Sequence, residues 1–141
     1  MSLTIREAGQ ADAAFLAELV GRLGYPAPED AMPARMEQLE RDGQSLFVAE
    51  LDGEAAGMAV MQICPVLIHD TPTCRLAVLV VAERAERRGV GRALTLAVEE
   101  AARRAACDRI VLESGVWRDG AHGFYRALGY ESIALGFQKR L

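Results

Sequence analysis

The chain has 141 residues, of which 51% are hydrophobic and 26% charged, with a formal net charge of −4. This length predicts one domain, residues 1–141, and the composition argues against disorder. The acidic balance argues against binding to nucleic-acid phosphates, and no segment is long and apolar enough to span a membrane. The start lacks a secretory signal, and the cysteines (Cys64, Cys74, Cys107) lack paired spacing. We therefore expect a cytoplasmic protein without disulfides or a zinc site.

The first half of the chain predicts a strand, two helices and a β-hairpin. Apolar residues at helical spacing indicate the helices, and Pro33 is tolerated in the first turn of the second one. Asp52-Gly53 favours a two-residue hairpin turn. In chain order we expect a strand at Leu3–Arg6, helices at Asp12–Leu23 and about Asp30–Arg41, and strands at Leu46–Leu51 and from Glu54 through Met61.

The second half changes from strand to helical periodicity and back. Leu76–Val81 is a continuous apolar run, which predicts a central strand covered on both faces. A helix is expected from Val90, followed by a short strand at Arg109–Glu113. A last helix is expected at Gly120–Leu128, and Tyr130–Gln138 is expected to form the last strand or strands. This order predicts an α/β (α+β) fold, a mixed sheet with helices on both faces.

The connection that follows Leu76–Val81 contains the sequence R-R-G-V-G-R at Arg87–Arg92. Its glycines let the main chain approach a ligand closely, and a helix N-terminus with arginines suits phosphate. A P-loop is excluded because it needs lysine, and a dinucleotide fingerprint needs a small residue where Leu94 stands. The loop alone leaves two interpretations open, a phosphate site and an ordinary basic helix start.

A second motif lies one strand further along the chain. Ala121–Tyr130 reads A-H-G-F-Y-R-A-L-G-Y, and Glu86–Gly91 reads E-R-R-G-V-G. Together these resemble the signature A-x-x-F-Y-x-x-x-G-[FY] and the pyrophosphate loop [QR]-x-x-G-x-[GA] of the GNAT superfamily of N-acetyltransferases. The resemblance implies a GNAT-like fold with a mostly antiparallel sheet of six to seven strands and a splay between the central strands. It also implies acetyl-CoA as co-substrate and no metal.

The resemblance implies direct transfer of the acetyl group from acetyl-CoA to a primary amine in a ternary complex. Tyr125 would act as general acid on the departing CoA thiolate, and a main-chain N–H near Val80 or Val81 would stabilise the oxyanion. The base that accepts the amine proton is unassigned, with Glu113, His69, Asp70, His122 and water as candidates. The residues expected to bind acetyl-CoA are Leu79, Val80, Val81, Arg87, Arg88, Gly89, Val90, Gly91, Arg92, Arg118 and Tyr125.

Two positions depart from the family's pattern. Glu86 stands where the loop usually has Gln or Arg, and Ala77 stands where many relatives carry a carboxylate that helps to deprotonate the amine. These departures keep open an alternative function, a non-catalytic acyl-CoA binding or sensing module. The sequence does not specify the acceptor, which is a small-molecule or peptide amine. Pairing of last strands or apolar edges between copies would give a homodimer.

Overall fold

A computed structural model describes residues 1–115 and 119–141. The chain divides into two compact units, Met1–Val111 and Leu112–Leu141. The described residues form one five-stranded sheet, in the order β1-β2-β3-β4-β5, and four helices. In chain order the elements are β1 (Leu3–Glu7), α1 (Ala13–Arg22), α2 (Met32–Arg41), β2 (Ser45–Leu51), β3 (Glu54–Cys64), β4 (Thr73–Val81), α3 (Val90–Arg104), β5 (Ile110–Leu112) and α4 (Asp119–Ala127).

The sheet is mostly antiparallel, as expected, because β1 through β4 pair antiparallel in sequence order. The hairpin between β2 and β3 turns at Asp52 and Gly53, whose φ angles are 52° and 84°. A two-residue turn of this kind needs left-handed backbone at both positions, so the expected hairpin is confirmed. None of the helices in residues 1–115 and 119–141 is both long and apolar enough to cross a membrane.

Helix boundaries follow the sequence signals closely. Both predicted helices of the first half form, and Pro33 lies in the first turn of α2, where its missing N–H costs nothing. A short 3-10 turn at Glu29–Ala31 precedes α2, so the helix begins two residues later than expected. Gly129, at φ 93°, follows the end of α4 in the left-handed conformation that glycine adopts freely.

Two expectations about strands differ from the structure. The residues expected to form the last strand, Tyr130–Gln138, belong to no strand, and the six to seven strands are not confirmed. Their alternating apolar pattern is strand-like, but a strand must pair with another strand, and no described strand pairs with these residues. β4 is interior in the sheet as expected, yet Ala77 on it is exposed and Leu79 is half-buried. An apolar run is therefore compatible with one open face.

A network around Arg6 ties β1 to the segment that precedes α1 and to β2. The Arg6 guanidinium donates two hydrogen bonds of 2.8 Å to the two oxygens of Asp12 and one of 2.5 Å to Glu50. Asp12 is buried and also accepts a 2.8 Å hydrogen bond from the Gly9 N–H. The Arg6 hydrogen bonds, followed by that from Gly9, lower the pKa of the Asp12 carboxyl despite its burial. The bidentate geometry makes this a strong charge-assisted pair.

We expect Asp12→Asn to lower the free energy of unfolding near pH 7 by about 1–3 kcal/mol, because Arg6 loses a charged acceptor. A carboxyl with a lowered folded pKa stabilises the protein above its unfolded pKa, and this contribution disappears as pH falls through the folded pKa. The difference between wild type and Asp12→Asn should therefore shrink as pH falls below about 4. Urea unfolding between pH 2 and 7 measures it. Exposed Glu7, substituted as Glu7→Gln, is the control, and a pH-independent difference would contradict the account.

Candidate functional site

The strand that leads to the glycine loop carries a β-bulge. Val60 on β3 pairs with Val78 on β4, but the next residue, Met61, pairs with Leu76. Ala77 is therefore an extra residue on β4, and its side chain is exposed. A bulge bends its strand and changes the direction of the adjacent peptide groups. The second half of β4 thus continues at a different angle from the first.

The end of β4 extends beyond its short neighbour. β5 has three residues and spans about 10 Å, whereas Leu79 lies about 17 Å along β4 from Cys74. The Cys74 N–H donates a 3.2 Å hydrogen bond to the Arg109 carbonyl, which places the pairing at the start of β4. On its other edge β4 pairs with β3 as far as Val81. The backbone of Leu79–Val81 therefore has one edge that β5 does not occupy.

The turn after β4 contains two left-handed residues. Arg87 has a φ of 60° and Gly89 a φ of 83°, and α3 begins at the next residue, Val90. Glycine adopts this conformation without strain, whereas at Arg87 it costs of order 1 kcal/mol or more. No side chain among the described residues caps the helix at Gly89. The first N–H groups of α3 lack partners within the helix, which is the arrangement that binds anions.

A close approach between α3 and the sheet holds this turn in place. A Cβ atom added at Gly57 on β3 would lie 2.9 Å from the Val80 carbonyl oxygen, 3.0 Å from Val90 Cγ1 and 3.1 Å from Leu94 Cδ1. The Val90 and Leu94 side chains are buried. The first turn of α3 therefore packs directly on the backbone at Gly57, at the end of β4 where the glycine loop begins.

Two residues of the loop, Glu86 and Arg88, form ion pairs. Glu86 is ion-paired with Arg22 of α1, and Arg88 lies 4.0 Å from Asp52. No ion pair of Arg87 or Arg92 is found within residues 1–115 and 119–141. The negative charge of Glu86, which departs from the family's loop, is thus balanced by Arg22. Exposed pairs of this kind add little stability, but they set the local field.

Tyr125 lies on α4, in the second unit, whereas the glycine loop lies in the first. Its half-buried ring makes edge-to-face contacts with Phe124 at 5.2 Å and Tyr130 at 5.8 Å between ring centroids. The Tyr130 N–H also donates a 3.0 Å hydrogen bond to the Tyr125 carbonyl oxygen. The residues of the second motif therefore contact one another and fix the Tyr125 ring from two sides.

The other candidate residues lie on three different segments of the chain. His122 Nε2 donates to the Gly115 carbonyl oxygen at 2.8 Å, as in a structural role. Glu113 is exposed just after β5, and Arg118 lies outside the described residues. His69 and Asp70 lie where β4 begins, at the opposite end from the loop that follows it. There they line a groove of about 420 Å³, together with Leu67, Ile68, Thr71, Asp108 and Arg109.

Neither a nucleophilic thiol at Cys74 nor a metal site is indicated among the described residues. Burial, followed by the influence of Cys107 and Cys64, raises the pKa of the Cys74 thiol to about 11. Cys74 is therefore protonated at neutral pH and is a poor nucleophile. In the part of the chain that the structure describes, no three His, Cys, Asp or Glu side chains are placed to hold a metal ion.

Three features of the site were not predicted from the sequence. An isolated glycine within a strand is a recognised sign of close backbone approach, so Gly57 was detectable. The bulge at Ala77 has no local signal, because an apolar residue inside an apolar run does not reveal an extra position. The Arg22–Glu86 pair joins residues 64 positions apart, which spacing alone does not connect.

We expect Gly57→Ala to lower the free energy of unfolding by about 1–3 kcal/mol. The added methyl group would clash with the Val80 backbone carbonyl oxygen, which cannot move away as a flexible side chain can. The matched control is Gly21→Ala within α1, where a Cβ meets nothing within 4 Å. Alanine is preferred over glycine in a helix, so this control should be neutral or stabilising. Urea denaturation of both variants checks the prediction, which fails if they have equal stability.

Comparison with known proteins connects this geometry to a family. The model of the Acetyltransferase (GNAT) family matches residues 13–130. Aminoglycoside N(6')-acetyltransferase type 1 of Stenotrophomonas maltophilia is 33% identical over 133 residues, which cover 91% of this chain and 86% of that protein.

Solved structures share the fold across the whole chain. A putative acetyltransferase from Agrobacterium tumefaciens is 29% identical with a TM-score of 0.86, covering 98% of this chain and 99% of that one. AAC(6')-Iy in complex with the bisubstrate analog CoA-S-monomethyl-acetylneamine is 24% identical with a TM-score of 0.82, covering 100% of both chains. With the family model spanning β2 through β5, the glycine loop and the Tyr125 motif, the chain belongs to the GNAT family of acetyltransferases.

Proposed function

We propose that this chain, as one acetyltransferase domain of residues 1–141, transfers the acetyl group of acetyl-CoA to a primary amine. The observation that carries the proposal is the turn at Arg87 and Gly89, which leaves the first N–H groups of α3 available to an anion. Family membership supports acetyl-CoA as the donor. The CoA pyrophosphate is the anion that suits this turn.

Two features of the first unit support a binding mode for acetyl-CoA. The N–H groups of Val90, Gly91 and Arg92 bind the pyrophosphate, and exposed Arg87, Arg88 and Arg92 add charge-assisted donors. The pantetheine arm then pairs with the edge of Leu79–Val81 that β5 does not occupy, as a peptide adds to a sheet edge. The arm thereby directs the thioester toward the bulge at Ala77. Arg118 is a further proposed contact.

The proposed reaction is direct attack by the neutral amine on the thioester carbonyl carbon. The C–N bond forms while the C–S bond breaks, and a main-chain N–H near Val80 or Val81 stabilises the oxyanion. Tyr125 donates its phenolic proton to the departing CoA thiolate, and the ring contacts with Phe124 and Tyr130 support its fixed orientation. Holding both substrates together supplies much of the rate.

An alkyl ammonium has a pKa of about 10.4, so the amine must lose a proton before it attacks. Glu113 and water are the acceptors we retain. His122 donates a hydrogen bond to a carbonyl, and His69 and Asp70 lie at the far end of β4. Ala77 itself has no carboxylate to accept the proton. A water relay would therefore carry the amine proton away in place of the carboxylate that many relatives have at the position of Ala77.

The acceptor class we propose is an aminoglycoside or a similar small polyamine. A relative that is 33% identical carries the name of an aminoglycoside N(6')-acetyltransferase. The net charge of −4 attracts a polycation. Exposed Glu29 and Asp30, on the 3-10 turn between α1 and α2, add local negative charge.

We expect acetyl-CoA at about 100 times its Kd to stabilise the protein by about 2.7 kcal/mol, and NADH and ATP at the same concentration to have less effect. Thermal unfolding with each ligand measures this.

Gly89→Val places a β-branched side chain at a φ of 83° and should abolish the increase in Tm with acetyl-CoA, while Gly123→Ala on α4 should retain it. No shift with millimolar acetyl-CoA would overturn the proposal. Binding without turnover of any amine would favour the alternative, an acyl-CoA sensing module.

We expect Tyr125→Phe to lower kcat by about 10²–10⁴-fold while the Kd for acetyl-CoA stays within about twofold, because only the phenolic proton is lost. The matched control is Tyr130→Phe, which removes the hydroxyl of the neighbouring ring at a motif position that also accepts Phe. Steady-state release of CoA thiol with an aminoglycoside acceptor checks both variants. Unchanged kcat in Tyr125→Phe would remove Tyr125 from the mechanism.

A further inference from the structure

Arg22, in the last turn of α1, contacts the connection between β4 and the glycine loop. Its guanidinium is ion-paired with Glu86 and lies 3.8 Å from a carboxylate oxygen of Glu83. The Glu83 side chain is 88% exposed, whereas that of Glu86 is 51% exposed and that of Arg22 is 35% exposed. Because solvent screens the longer and more exposed contact more strongly, Glu86 is the principal partner of Arg22.

The same connection has other anchors that do not involve Arg22. The Arg84 guanidinium donates a hydrogen bond to the Ala55 carbonyl oxygen and lies over the Phe15 ring of α1, 5.9 Å from its centroid. The next residue, Ala85, is buried. These contacts fix the connection as far as Ala85. Loss of Arg22 would therefore release the carboxylate of the following residue and leave the rest of the connection in place.

Glu86 is close in the chain to the N–H groups that are proposed to bind an anion. It directly precedes Arg87, whose φ is 60°, and α3 begins four residues later at Val90. A helix N-terminus attracts any nearby anion, because its free N–H groups carry partial positive charge. A carboxylate on a flexible side chain at this separation can compete with phosphate for these groups or repel it. The ion pair with Arg22 engages this carboxylate on α1 instead.

We propose that Arg22 is a positioning residue for acetyl-CoA binding, which acts by holding the Glu86 carboxylate against α1 so that it does not reach the first N–H groups of α3. The inference rests on the proposed function, because the anion at these groups is the CoA pyrophosphate. It gives α1 a role in acetyl-CoA affinity, although no residue of α1 is among the proposed acetyl-CoA contacts. A cation from another element thus allows the loop to carry a carboxylate where its family usually has Gln or Arg.

A double-mutant cycle tests whether Arg22 acts through Glu86. Isothermal titration calorimetry at about 0.15 M salt, where charges more than about 8 Å apart are largely screened, measures the Kd of acetyl-CoA. We expect Arg22→Gln to raise this Kd about fivefold to tenfold, because the carboxylate is released. In a Glu86→Gln background the same change should alter the Kd by less than about twofold, because no carboxylate remains to be released. Arg22→Lys keeps a cation opposite Glu86 and should bind within about twofold of wild type.

The matched control is Arg103→Gln, which also removes one arginine from an exposed ion pair, with Glu100 near the other end of α3. Its Kd for acetyl-CoA should stay within about twofold of wild type, because the lost charge is far from the loop. Thermal unfolding without ligand checks that each variant folds. No rise in Kd for Arg22→Gln, or an equal rise with and without Glu86→Gln, would overturn this inference alone. Failure of the wild-type protein to bind acetyl-CoA would overturn it together with the proposed function.

Discussion

The direct packing of α3 on the backbone of β3 at Gly57 is the constraint on which the candidate site depends. A side chain at position 57 of β3 would force the helix to stand further from the sheet. Here the nearest heavy atoms leave no room for a methyl group, and Val90 and Leu94 fill the space instead. Burying these side chains supplies the apolar stabilisation that holds the helix start at the end of β4. The anion-binding N–H groups are therefore positioned by the core.

Irregularities in the sheet lie where the chemistry is proposed. The bulge at Ala77 changes the direction of β4, and the shortness of β5 leaves an edge of Leu79–Val81 available. An interior strand that is paired along its whole length on both sides has no such edge, so it offers no main-chain groups to a ligand. The Arg22–Glu86 ion pair also favours phosphate binding at the loop. Arg22 of α1 balances the charge of the Glu86 carboxylate, which would otherwise repel phosphate.

Local chemistry explains which parts of the structure were predictable. The hairpin at Asp52-Gly53, the helix boundaries and the left-handed Gly89 follow from short-range preferences. The open face of β4, and the absence of a strand at Tyr130–Gln138 in the part of the chain that the structure describes, depend on what lies beside a strand, which hydrophobic pattern alone does not report. The loop and the Tyr125 motif were identifiable from sequence because their residues are close in the chain, whereas the base for the amine depends on distant contacts.

Titration of isotope-labelled protein with CoA, followed by amide NMR, tests the central claim most directly. We expect the largest changes in N–H chemical shift at Val90, Gly91 and Arg92, because these groups exchange water for pyrophosphate oxygens. Smaller changes should follow along Leu79–Val81. Changes confined to the groove around His69 and Arg109, with the start of α3 unaffected, would contradict the account.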